Sequence, residues 1–484
     1  LNHRHMGGEL KMKKFLGTVY DRRCVWHNAV FFGVVIAALI LCFVVEGGVD
    51  DNLEYPLKNV FLQNDQYAVQ FSAFLHGQIA LEAVPDLALA ELENPYDPDQ
   101  REGISHLYDT AYYNGHYYSY FGIAPIFLVY YPVYFLTGTI ASRTLTSLIL
   151  GFLSVIFVAL AYREMVFRFC DGPNLLLTAA GLVGVTAASG VYVGLLYSDV
   201  YYIPVLSALA CSSAFIYLGF RAMRTQKLVP RAVFLVAAAL ALTFTVWSRP
   251  SVAVMCLMIL PLFIGFAVKI RRNTLREGLI TIASFVLPLA LGAAAVMVYN
   301  GARFSSPFDF GTRWQFTVSD ISKNKIEPAL FFPSLCSFFL QAPDNQKAFP
   351  FVIWSNFRFV PFDNSVRYFY NASSVGAFAF GLPLASLLAP AAADFRRDRV
   401  KSATFIAVPL LSVTVAFFDY CIGGVNFRYL LDFLPILSTT SAVLCLGLHE
   451  GATGRVRASL ALASLLLFGM SVVMCLGVMS GKSA

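Results

Sequence analysis

The strongest constraint on this chain is a series of apolar runs, each about as long as an α-helix must be to cross the hydrocarbon core of a bilayer, roughly 20 residues. They cover residues 29–46, 141–162, 175–197, 200–220, 232–247, 250–268, 278–299, 374–393, 402–419, 429–448 and 458–478. Backbone inside lipid has no water to bond to, and a helix satisfies its own amides and carbonyls segment by segment. The sequence therefore predicts an all-α polytopic membrane protein of about eleven transmembrane helices, with interfacial or re-entrant helices in its external loops. Residues 1–484 are read as one transmembrane domain. With 58% of residues apolar and only 13% charged, an ordinary soluble domain is excluded.

Charge sets the orientation. Residues 120–138 are long enough to cross, yet their tyrosines and prolines suit an interface better than the hydrocarbon centre. If that stretch crossed, the loops holding Arg221, Arg224, Lys227 and Arg231, and Lys269, Arg271, Arg272 and Arg276, would lie outside. If it lies in the outer interface or re-enters, those loops turn inward. They then join Arg163 and Arg168, Arg396, Arg397, Arg399 and Lys401, and Arg455 and Arg457, on the side of Lys11, Lys13, Lys14, Arg22 and Arg23. The positive-inside rule selects the second layout: a cytoplasmic N-terminus over 1–28, external segments at 47–140 and 300–373, and an external C-terminus. The net charge of +6 is accounted for by that bias, so no nucleic-acid partner is expected. The nine cysteines form no Cys-x-x-Cys or Cys/His metal spacing.

The two external segments are the expected walls of a site. The first carries twelve acidic side chains between Asp50 and Asp109 against two basic ones, Lys58 and Arg101. The second is rich in aromatics and contains FFPSLCSFFL at 331–340, too short to span and read as an interfacial helix.

Several residues there carry chemistry. In NDQYAVQFSAFLHG at 64–77, Tyr67, Phe71, Phe74 and Leu75 fall at helical spacing, which predicts an amphipathic helix lying on the membrane with Asp65 at its N-terminal end. A carboxylate in that position is either a helix cap or a reactive group. Further on, YDTAYYNGHYYSYFGIAPIF at 108–127 places His116 and Tyr117 among tyrosines that fit either an interfacial belt or stacking against a sugar. Asp199 follows Ser198 in GLLYSDVYY, Arg249 sits in WSRPS, and Arg428 lies in GGVNFRYLLDFLP. Arg143, Arg249 and Arg428 are external against the positive-inside bias. Each is either a snorkelling anchor or a partner for an anion such as phosphate.

At these residues the chain resembles the GT-C superfamily of polytopic glycosyltransferases that use polyprenyl-phosphate-linked sugars, in particular the branch similar to protein O-mannosyltransferases. The resemblance runs in order through most of the chain. It starts with an acidic residue heading an aromatic helix that ends in Leu-x-Gly (Asp65 to Gly77) and the Asn-Gly-x-Tyr-Tyr segment at 114–118. It continues with Ser-Arg-Pro at 248–250, Tyr-Asn at 299–300, Ser-Pro-Phe-Asp-Phe-Gly at 306–311, and Arg-Tyr-x-x-Asp-Phe-x-Pro at 428–435.

The resemblance implies an inverting transfer of a sugar from a polyprenyl-phosphate carrier to a hydroxyl of a glycan, lipid or protein acceptor. It would take place on the external face of a bacterial cytoplasmic membrane. Asp65 would be the general base, and Arg249, Arg428 and Arg143 would hold the departing phosphate. Tyr67, Tyr117 and His116 would contact substrate, while Asp199 would orient the acceptor or a divalent ion. Many members have Asp-Glu at the first motif. This chain has Asp65-Gln66, which leaves one carboxylate and makes Asp65 and Asp199 the only candidates for Mg or Mn. Two other classes share a multi-span layout: a transporter or flippase, and a polysaccharide polymerase or ligase that takes a diphosphate-linked glycan.

Overall fold

The structure is a computed structural model that describes residues 22–47, 54–55, 65–271, 275–323, 326–355, 375–394 and 398–480. Lys11, Lys13 and Lys14 of the expected cytoplasmic N-terminus, and parts of both expected external segments (48–53, 56–64, 324–325, 356–374), lie outside the described residues.

Among the described residues, eight helices are long and apolar enough to cross a membrane: His27–Glu46, Arg143–Phe169, Leu175–Tyr197, Ile203–Arg224, Leu228–Ser248, Leu275–Phe304, Arg399–Gly423 and Gly454–Ser480. Three of the apolar runs do not form such a helix, for reasons visible in their residues. The run at 250–268 breaks into Pro250–Met255, a 3₁₀ turn at Cys256–Ile259 and Leu260–Arg271. Pro261 has no N–H for the Leu257 carbonyl, so the regular ladder fails there. The run at 374–393 contains Gly381 at φ +74°, Pro383 and Pro390, and winds as 3₁₀ turns at Ala377–Phe380 and Leu382–Leu388. The run at 429–448 becomes Leu434–Gly451, which is buried along Leu434–Leu446 and carries Ser438, Thr439, Thr440 and Ser441 inside the bundle. A helix that faces protein does not need the apolarity of one that faces lipid. The helix Leu275–Phe304 shows the contrast, with Leu279, Ile282, Val286, Leu291 and Val298 all exposed.

The two ends of the bundle differ in charge. At one end Glu164 is buried between Arg221 (3.6 Å) and Arg224 (3.3 Å), Arg231 faces Glu277 at 3.4 Å, and Arg168 faces Asp398 at 3.5 Å. Arg163 donates to Asn28 at the start of the first helix, 2.5 Å away. Asp65, Arg143, Asp199, Arg249 and Arg428 all belong to segments at the opposite end, where these helices begin or finish.

At that opposite end, residues 126–137 form one continuous helical stretch, a π turn at Ile126–Tyr130 followed by Tyr131–Thr137. At about 1.5 Å per residue it spans roughly 18 Å, short of a crossing. Ile126, Val129 and Tyr130 face inward, while Phe135 and Leu136 are 78% and 86% exposed.

The two segments expected to be external meet each other. Ala111–Tyr113 and His116–Tyr118 make an antiparallel hairpin. Its turn places Asn114 at φ +47° and Gly115 at φ +74°, the left-handed pair that a two-residue hairpin loop needs. Asp109 N–H donates to the Phe316 carbonyl and Phe316 N–H donates to the Thr110 carbonyl, both at 2.8 Å, and Ala111 bridges to Gln315. Asn94 donates to Asp320 at 2.8 Å. The ring of Phe316 is wrapped by Tyr96, His106, Tyr112 and Tyr117.

Candidate functional site

Asp65 is the N-cap of helix Gln66–Leu75, and its Oδ1 accepts from Tyr67 N at 3.2 Å and Ala68 N at 3.3 Å. Its other oxygen, Oδ2, is buried and has no hydrogen-bond partner among the described residues. The two roles open to this carboxylate are thus divided between its two atoms: one holds the helix, the other is left over. The side chain is 0% exposed. Burial pushes its pKa up to about 6, against the pull of the Arg143 guanidinium and of the two backbone amides it caps.

The helix that Asp65 heads is covered by protein on nearly every side. Gln66 to Ala73 are all buried, because the helix is sunk against the short stretch 126–137. Phe71 packs edge-on to Tyr131 at 5.0 Å and Tyr134 at 5.5 Å, and Tyr67 stacks on Tyr130 at 6.1 Å. The tyrosines that suggested an interface instead form the seat of this helix.

Tyr67 continues the site. Its hydroxyl donates to the Gly122 carbonyl at 3.0 Å. Gly122 is pressed against the end of helix Leu228–Ser248: a Cβ there would lie 2.2 Å from the Ser248 carbonyl oxygen and 2.3 Å from that of Trp247. Only glycine permits this approach, which brings the first external segment onto Ser-Arg-Pro and sets the Arg249 charge within electrostatic reach of Tyr67.

Arg249 already has an anion. Its Nη2 donates to Asp432 Oδ2 at 2.7 Å, and its Nε lies 2.6 Å from Oδ1 but off the line of the N–H. Ser251 donates to the same Oδ2 at 2.6 Å. Arg428 is held differently, with its guanidinium over the ring of Tyr201 at 4.6 Å and of Tyr429 at 5.3 Å. The Tyr201 hydroxyl donates to Asp109 Oδ2. Asp109 is 5% exposed, and burial pushes its carboxyl up to about 6 against the opposing charge of Arg428 and a hydrogen bond from Thr317. Gln66 joins the two acids: its side-chain amide donates to the Asp109 carbonyl, one residue along the chain from Asp65.

Asp199 borders this cluster through Tyr201, while Tyr117 and His116 belong to the hairpin. Asp199 uses Oδ1 to accept from Tyr201 N at 2.8 Å and Tyr202 N at 3.0 Å, which starts helix Ile203–Arg224. Tyr117 is buried against Phe316 in the hairpin, and His116 is exposed at its turn. Among the described residues no group of three His, Cys, Asp or Glu side chains could hold a metal ion, and Asp65 and Asp199 each commit one oxygen to backbone amides, so no step is derived through Mg or Mn. Asp109, Tyr201 and Asp432 were not among the candidates. Asp109 and Asp432 stand inside the quoted YDTAYYNG and RYLLDFLP segments, and an acid amid tyrosines or beside a lone external arginine was the available signal.

No protein-family model matches the sequence, and no curated protein sequence does. Three solved structures are similar in chain path. ArnT from Cupriavidus metallidurans, bound to undecaprenyl phosphate, is 12% identical with a TM-score of 0.44, covering 93% of this chain and 75% of that one. The apo oligosaccharyltransferase of Archaeoglobus fulgidus is 13% identical with a TM-score of 0.41, covering 91% and 56%. The oligosaccharyltransferase AglB from Archaeoglobus fulgidus, in complex with an inhibitory peptide and a dolichol-phosphate, is 12% identical with a TM-score of 0.43, covering 94% and 55%. The chain thus spans a little over half the length of the two archaeal chains.

Proposed function

We propose that this chain is an inverting membrane glycosyltransferase that moves a sugar from a polyprenyl-phosphate carrier to an acceptor hydroxyl on the extracytoplasmic side. One observation carries the reading: a fully buried carboxylate with one oxygen engaged in a helix cap and the other unpartnered, its basicity raised by its surroundings and a guanidinium nearby. That is the equipment of a general base poised near neutral pH. The basic end of the bundle, opposite Asp65, supports an external site in a bacterial cytoplasmic membrane.

In this reading Asp65 Oδ2 takes the proton of the acceptor hydroxyl as its oxygen bonds to the anomeric carbon. The bond from that carbon to the phosphate oxygen breaks, and the electron pair leaves with polyprenyl phosphate. The single displacement inverts the centre. The leaving phosphate needs cations and no strong acid. Arg143 beside Asp65, and Arg428 stacked on Tyr201, supply them. Arg249, gripped by Asp432, is a fixed positive charge beside Tyr67. The test is turnover of polyprenyl-phosphate sugars by the purified protein, followed as release of polyprenyl phosphate. Asp65→Asn should reduce it by about 10²-fold or more, and normal turnover by that variant would refute the assignment.

A further inference from the structure

The first external segment has one buried arginine among its acids, and nothing in the proposed chemistry uses it. Arg101 is 2% exposed. Its Nη2 donates to the Thr317 carbonyl at 2.9 Å and its guanidinium lies over Phe316 at 4.5 Å, while Nε and Nη1 have no partner among the described residues. Buried donors left unmade are destabilising, so a site that keeps two of them is a site with something to meet them. Arg101 is part of the wall of a depression of about 450 Å³ lined from both segments, together with Asp99, Glu102, His106, Tyr108 and Thr317. Tyr108 is 42% exposed and presents its ring to the solvent side.

We propose that this depression is the acceptor subsite and that it takes a saccharide. This rests on the reading of the chain as a glycosyltransferase and names the class of its acceptor. A simple anion would satisfy Arg101 but would meet the carboxylates of Asp99 and Glu102. A cation would have the opposite difficulty. A sugar hydroxyl accepts from a guanidinium and donates to a carboxylate at once, and the apolar face of a sugar ring covers a tyrosine. The volume suits one or two sugar rings. The depression is tied to the reactive group through the chain: Tyr108 precedes Asp109, the carbonyls of both accept from the Gln66 side chain, and Gln66 follows Asp65.

The full chain in lipid nanodiscs is titrated with trisaccharides of mannose, galactose, arabinose and glucose, with binding read by saturation-transfer NMR. At least one should bind, and Tyr108→Ala and the double variant Asp99→Asn/Glu102→Gln should each weaken it about tenfold. These are surface positions, and unchanged thermal unfolding verifies that the variants fold. Absence of binding by all four sugars, or binding unaffected in both variants, overturns the subsite. Asp65→Asn serves as the separate arm. If it retains saccharide binding and loses transfer, both readings stand. If it retains transfer, the catalytic assignment fails while the subsite is judged on binding alone.

Discussion

The guanidinium of Arg249 meets the carboxylate of Asp432 at two points, 2.7 Å from Nη2 to Oδ2 and 2.6 Å from Nε to Oδ1. Asp432 is almost wholly buried, so this pair is withdrawn from solvent screening and each partner depends on the other. Replacing Asp432 with Ala removes the direct partner of Arg249 and leaves the buried carboxylate of Asp419 as the nearest remaining anion, so the loss should be about 2–3 kcal/mol, less than for a wholly unpaired buried charge. Ser251→Ala, which removes one neutral donor to the same oxygen, should lower stability by only about 1 kcal/mol. Thermal unfolding of the two variants in detergent checks the ranking, and equal losses would contradict it.

Asp65→Asn should trade activity for stability, and pH gives the sign. The carboxyl moves from an ordinary 3.8 to about 6 in the folded protein. Its ionised form is therefore the disfavoured one when folded, a penalty absent below pH 4 and complete above pH 6, roughly 3 kcal/mol for two pH units. Asparagine caps helices as well as aspartate does. The variant should thus melt higher than the parent at pH 7.5 and at the same temperature near pH 4. Turnover by the parent should rise as pH passes through about 6. Asp109 is raised into the same range, so a second ionisation persists in the stability profile of the variant.

Gly122→Ala tests the close approach that joins the first external segment to Ser-Arg-Pro. The added methyl would sit 2.2 Å from a backbone oxygen, which no side-chain rotation relieves. A loss of about 1–3 kcal/mol is expected from the forced backbone shift. Donor turnover should fall with it, because Tyr67 hangs from the Gly122 carbonyl. A variant with parental stability and activity would show that the contact is slack.

Tyr201 has two separable duties. Tyr201→Phe keeps the ring under Arg428 and removes the donor to Asp109, so the Asp109 titration should move upward with little effect on donor binding. Tyr201→Leu also removes the cation–π contact, worth about 0.5–2 kcal/mol, and should raise the KM for the polyprenyl-phosphate donor about tenfold. Similar KM values for the two variants would remove Arg428 from the donor site.

The architecture was legible wherever apolarity alone decides it. The runs at 29–46, 141–162 or 278–299 could hardly be anything but long helices. Legibility failed at Pro261, Gly381 and Pro383, where backbone chemistry interrupts an apolar run, and in Leu434–Gly451, where serines and threonines point into protein. In the site, Asp65 was legible because it opens an aromatic helix after the first span. Its burial was not, since the amphipathic pattern of residues 66–75 looks the same whether the partner is lipid headgroups or Tyr130, Tyr131 and Tyr134. Arg249 stood out as an external cation, but its partner lies 183 residues away, and only the fold pairs it with Asp432.

The backbone bonds joining Asp109 and Thr110 to Phe316 govern biogenesis as well as shape. The segment around Asp109 leaves the ribosome some two hundred residues before the strand partner it needs, so its hairpin waits incomplete while five helices long and apolar enough to span a membrane are made. Completion of this end of the bundle is therefore a late event in synthesis, and a chain truncated before Phe316 would hold most of its long helices yet leave that hairpin without its third strand.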